Sequence, residues 1–150
     1  MNPNARRRTI MLLAHSLRVA NHWPMSTALC WAWKMERARL CVQAVGVTFG
    51  RRQEALRRLS RYPADMTALG LVQEPGNAHD PHAVAVVASV RGLGSVTVGY
   101  LPRRVAAILA PLMDRGQALR VCGWTTAEGG LRITLAFGQG RERAARLRIA

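Results

Sequence analysis

Two aromatic residues, each with a pair of arginines close behind it, are the positions best suited to chemistry: Phe49 precedes Arg51 and Arg52, and Tyr100 precedes Arg103 and Arg104. An aromatic face stacks on a nucleobase, and a guanidinium offers a planar fork for phosphate and a flat face of its own. Between the two lies the turn-rich run Pro75-Gly76-Asn77-Ala78-His79-Asp80-Pro81-His82. Its carboxylate, Asp80, stands in basic surroundings. A carboxylate there accepts a hydrogen bond from a free 3′-hydroxyl but repels a phosphate, so it would select a strand end over an internal position. Each of these residues also has a structural alternative. Asn and Asp readily bond their own backbone in turns, which would occupy Asn77 and Asp80. Strand aromatics are usually buried, which would make Phe49 and Tyr100 core residues.

Other chemistries find less support. His79-Asp80-Pro81-His82 is the metal-like cluster of the sequence, and it permits a metal-dependent nuclease acting through His79, Asp80 and His82. No third ligand pair at helical spacing accompanies it, so an Asp that caps a turn is the favoured role. There is no G-x-S-x-G elbow and no P-loop, and Gly92-Leu93-Gly94 lacks the rest of a dinucleotide fingerprint. A non-enzymatic protein without a cofactor is expected.

Charge points the same way. The 150 residues carry 22 Lys+Arg against 8 Asp+Glu, a formal charge of +14, and Lys34 is the single lysine. Residues 1–61 hold 12 basic and 2 acidic side chains, so the front of the chain is the electropositive end. Such a surface attracts a phosphate backbone by counterion release. With 49% hydrophobic and 20% charged residues the composition is that of a globular domain, and the length suits one modest core. Three cysteines, Cys30, Cys41 and Cys122, form no C-x-x-C or regular framework, which indicates a reducing compartment. Arg6-Arg7-Arg8 followed by Thr9 to Leu13 briefly imitates a twin-arginine signal, but the apolar run ends at once and no cleavage site follows. With no apolar stretch of spanning length, a cytoplasmic, nucleoid-associated protein is expected, without a membrane partner.

The elements that must position these residues follow from periodicity. Ile10, Leu13, Ala14, Leu17 and Ala20 predict an amphipathic helix over 9–20, with His15 read as a packed histidine. Pro24 and Ser26 open a second helix expected to run to about Val42, in which Trp31 and Trp33 cannot share a face. Residues 1–43 therefore read as a helical hairpin. Beyond it the pattern predicts strands at 42–49, 68–74, 83–90, 95–101, 118–124 and 131–137. It also predicts a basic helix at 51–61 and a helix at 103–113 opened by Pro102. The expected fold is α+β: a small antiparallel six-stranded β-barrel of SH3/OB-like type with two helices, preceded by the hairpin. The divisions are a hairpin at 1–43, a barrel at 44–138 and a basic tail at 139–150.

Val45-Gly46-Val47-Thr48-Phe49 with Arg51-Arg52-Gln53, the block Leu71 to Val86 containing Glu74-Pro75-x-Asn77-x-x-Asp80-Pro81, and Val98-Gly99-Tyr100-Leu101-Pro102-Arg103 occur in an order that resembles a HIRAN domain. The resemblance covers about residues 43–138. It implies a small β-barrel with helices that, as the accessory domain of fork-remodelling helicases, grips single-stranded DNA at a free 3′ end; bacterial and phage versions also stand alone. By position, Phe49 takes the place of an aromatic on which a terminal base stacks. Asn77 and Asp80 occupy the loop that holds the terminal sugar, and Tyr100 and Arg103 lie where the family contacts base or phosphate. Thr48 and Gly50 depart from the basic and second aromatic residues of the eukaryotic domains. Arg51 or Arg52 is available to stack a guanidinium there instead.

The reading is thus a module for single-stranded DNA, reading its 3′ end in DNA repair or replication-fork processing through Phe49, Arg51, Arg52, Asn77, Asp80, Tyr100, Arg103 and Arg104. The alternative is an adaptor whose hairpin, with Trp23, Trp31 and Trp33, docks a helicase or nuclease.

Overall fold

The computed structural model describes residues 2–37 and 40–137. The first helix, α1 (Pro3–Asn21), begins a turn and a half earlier than apolar spacing predicts, because Pro3 suits the first helical position and the Asn2 side chain accepts from the Asn4 amide. It buries Ile10, Leu13, Ala14 and Leu17. His15 lies on the opposite face and is exposed, which corrects the expectation of a packed histidine. α2 (Met25–Glu36) buries Ala28, Ala32 and Met35, and is tied to α1 by Arg6, whose guanidinium reaches Glu36 at 2.8 and 2.9 Å. Trp31 turns inward onto Trp23 at 5.7 Å, while Trp33 faces out with Arg37 over its ring at 4.9 Å.

The second helix stops six residues short of its expected end. Leu40–Gln43 is instead a strand, β1, because its backbone pairs antiparallel with Arg132–Leu135. α3 (Arg52–Leu59) follows with Leu56 and Leu59 buried, then β2 (Thr67–Gln73), β3 (Val84–Val90), β4 (Gly94–Tyr100), α4 (Arg103–Asp114), β5 (Leu119–Ala127) and β6 (Gly130–Phe137). The six strands form two antiparallel three-stranded sheets, ordered β1-β6-β5 and β2-β3-β4. The architecture is α+β, but its ladders do not run round a closed barrel: β2 and β5 touch without pairing among the described residues. Among the described residues the sheets are stitched where Ala44 bonds Leu131 of β6 and Val45 exchanges two backbone hydrogen bonds with Tyr100 of β4 at 2.8 and 2.9 Å.

One apolar cluster runs from Ile10, Leu17 and Met35 through Val84, Val98 and Leu109 to Leu131 and Ile133. The hairpin therefore packs on the sheets, and Asn21 of α1 reaches the Ile108 carbonyl of α4 at 3.4 Å. The tail expected at 139–150 lies outside the described residues. Among the described residues no helix is long and apolar enough to cross a membrane.

Candidate nucleic-acid interface

The stitch between the sheets also builds the site. After Val45 the chain turns sharply, with Gly46 at φ 69°, a left-handed conformation that costs glycine least. That turn presents the Gly46 carbonyl to Arg52, whose Nη1 donates to it at 2.8 Å. The same guanidinium lies over the Tyr100 ring, 5.1 Å from its centroid. Sequence reasoning places a guanidinium beside Phe49, whereas Arg52 is committed to Tyr100. Phe49 itself closes the turn, its amide bonded to Gly46, and its side chain is 72% exposed. Core packing is thereby excluded for Phe49.

From Tyr100 the network runs on through side chains. Tyr100 donates its hydroxyl to Glu74 Oε2 at 3.1 Å, and Asn77 Nδ2 donates to the same oxygen at 3.0 Å. Asn77 Oδ1 accepts from the backbone amides of His79 and Asp80, and Asp80 Oδ1 accepts from the His82 amide at 2.9 Å. Both side chains thus carry out turn chemistry. It leaves Asp80 Oδ2, which faces Arg103 Nε at 3.9 Å on a side chain 17% exposed. Arg103 also donates to the His79 carbonyl at 3.2 Å, bracing the loop from α4. The loop base is closed by the Glu74 amide on the Ala83 carbonyl at 2.8 Å.

Arg103 and Arg104 open α4, behind Pro102 and with no acidic residue in the first turn. Cations at the positive end of a helix dipole work against the helix by about 0.3–1 kcal/mol each, an arrangement that suits the docking of an anion. Arg51 is exposed at the start of α3, and Arg104 is exposed beside Arg103. The structure therefore joins Arg52, Tyr100, Asn77, Asp80 and Arg103 into one contact network, with Phe49 on the turn that anchors it. Arg51 and Arg104 flank it in sequence and, among the described residues, make no side-chain hydrogen bond or ion pair with it.

Glu74 is the residue that sequence reasoning missed. It joins Tyr100 to Asn77, and its signal was present: it is one of few acids in a strongly basic chain and opens the Glu74-Pro75-x-Asn77 block. The Tyr100 hydroxyl is pushed above its ordinary pKa by burial first and by the Glu74 hydrogen bond second. The folded state then holds this proton more tightly than the unfolded one. Its contribution is fully present below the ordinary tyrosine value and is lost as pH rises through the higher folded value. Melting temperatures followed into the alkaline range should fall more steeply for the native chain than for Tyr100→Phe, and parallel curves would count against this role. Among the described residues no three His, Cys, Asp or Glu side chains are grouped to hold a metal.

An exposed aromatic, a braced loop and several arginines are thus gathered around the junction of the two small sheets. Residues 41–137 match the HIRAN domain family, and the chain belongs to it. HIRAN is a domain associated with nucleic-acid binding and is not itself catalytic. A crystal structure of a protein from Lactobacillus plantarum is similar at 25% identity and a TM-score of 0.48, covering 63% of this chain and 87% of that one. No curated protein matches the chain.

Proposed function

We propose that this chain binds single-stranded DNA and reads its free 3′ end, in DNA repair or replication-fork processing. The observation that carries the reading is the connected surface from Arg52 through Tyr100, Glu74 and Asn77 to Asp80 and Arg103. The terminal base stacks on Phe49, whose ring is exposed on the turn that Arg52 braces. Asp80 Oδ2 accepts the 3′-hydroxyl, and Arg103, held 3.9 Å away, lies in reach of the preceding phosphate. Arg51 and Arg104 extend the cationic field along the strand. Asn77 and Glu74 shape the loop; they hold Asp80 in place and need not touch DNA.

The test is fluorescence anisotropy with a short strand ending in 3′-hydroxyl against the same strand ending in 3′-phosphate, over a salt series. The hydroxyl form should bind more tightly, and Asp80→Ala should erase the difference. If about three to five phosphates are neutralised, log affinity should fall against log salt with a slope of roughly −2 to −3.5. Equal binding to both strands would reduce the activity to backbone gripping and remove end recognition.

A further inference from the structure

A groove of about 560 Å³ lies between α3 and the β3–β4 hairpin and has Arg51 in common with the site above. Its floor is aliphatic, built from Ala55, Leu59 and Ala88, and Arg51, Arg58, Leu93 and Val96 also line it. Two of its aliphatic side chains stand far into solvent: Leu93 is 67% exposed and Val96 48%. Tyr62 is the one aromatic in the lining, so successive bases would find little to stack on, whereas a leucine- or phenylalanine-sized side chain meets a matching surface.

Charge narrows the occupant further. α3 holds three arginines to one glutamate, with Arg51 just before it. That glutamate, Glu54, is taken up by Arg58 at 2.9 Å and Arg57 at 3.9 Å. The Arg58 bond to Glu54 uses Nε, which leaves the donors of its terminal nitrogens for a second carboxylate. β4 is moreover an edge strand, bridged on its outer side at Tyr100 alone among the described residues, and an extended chain can lie along such an edge.

We infer that this groove is a second binding site, for an extended acidic peptide segment of a partner protein that places a large apolar side chain on the aliphatic floor and carboxylates on Arg51 and Arg58. The inference does not rest on end recognition: neither Asp80 nor Phe49 lines the groove, and the two sites have Arg51 in common.

The probe is a labelled peptide alternating Asp with Leu and Phe, compared by anisotropy with one of equal charge alternating Asp with Ser, on the full chain at physiological salt. The apolar peptide should bind about tenfold tighter or more, as burial of one such side chain implies. Val96→Glu should abolish that advantage, and Arg58→Ala, at an exposed position whose loss leaves the core intact, should weaken the apolar peptide about fivefold. Equal affinity for the two peptides would overturn the proposal, as would native affinity in both variants. If the variants weaken a labelled single strand and leave the peptide untouched, the groove belongs to nucleic acid and the peptide site does not exist.

Discussion

Phe49→Ala is expected to weaken single-stranded DNA binding by about 1–3 kcal/mol, roughly 5- to 150-fold in Kd, while leaving the melting temperature where it was. The ring is 72% exposed, so its removal opens no cavity. The turn that carries it is made by backbone bonds, Phe49 amide to Gly46 carbonyl and Arg52 amide to Phe49 carbonyl, which alanine keeps. An effect confined to affinity would mark the ring as a stacking surface. Phe49→Tyr should restore most of the affinity, because the second ring offers the same face. Anisotropy titrations at one fixed salt concentration, paired with circular dichroism melts, separate the outcomes; native affinity in Phe49→Ala would remove the stacking step.

Gly99→Ala should cost about 1–3 kcal/mol of stability, the usual range for overpacking a filled core. A Cβ at this position would lie 3.0 Å from the Val45 carbonyl oxygen and 3.0 Å from Val47 Cγ1, both closer than ordinary contact. The Val45 oxygen is backbone and itself accepts from the Tyr100 amide at 2.9 Å, so it cannot turn aside as a side-chain tip would. The segment 44–47 must move off β4. That movement also shifts Gly46 and Arg52 relative to Tyr100, so DNA affinity should fall along with stability, unlike in Phe49→Ala. Urea denaturation supplies the first measurement and anisotropy the second. A variant with native midpoint and native affinity would show that the two sheets are not held together through this approach.

On the proposed reading, the two substitutions divide the site into a part that would touch DNA and a part that holds it in shape. Phe49 belongs to the first. Gly99, Glu74 and the Gly46 carbonyl belong to the second, and Tyr100 is shared, with one ring face already covered by Arg52 and its hydroxyl given to Glu74. Legibility in the sequence follows a different line. Phe49, Asn77, Asp80, Tyr100 and Arg103 stand in local blocks of distinctive residue type, so they could be picked out one at a time. Glu74 has a role only because β2, the loop after it and the end of β4 converge, and no local pattern states that convergence.

For the fold, short-range physics was sufficient wherever one face of an element meets the core. Leucine and alanine spacing set the buried stripes of α1 and α4, Pro24 and Pro102 set where helices begin, and β-branched runs bounded by glycines set β3 and β4. Tertiary contact decided the rest. Leu40–Gln43 has residues that a helix would accept, and it is a strand because β6 offers it a ladder. The β-bulge at Val98 of β4, opposite Val86 and Val87, which lets Val98 and Gly99 be buried in succession, depends on the pairing with β3. Whether six strands close as a barrel or pair as two stitched sheets depends on hydrogen bonds between residues far apart in sequence. Composition, periodicity and capping are properties of neighbours along the chain and are written in the sequence itself. Strand partners, bulges and the network that joins Arg52 to Arg103 are properties of distant residues brought together, and only the folded structure could supply them.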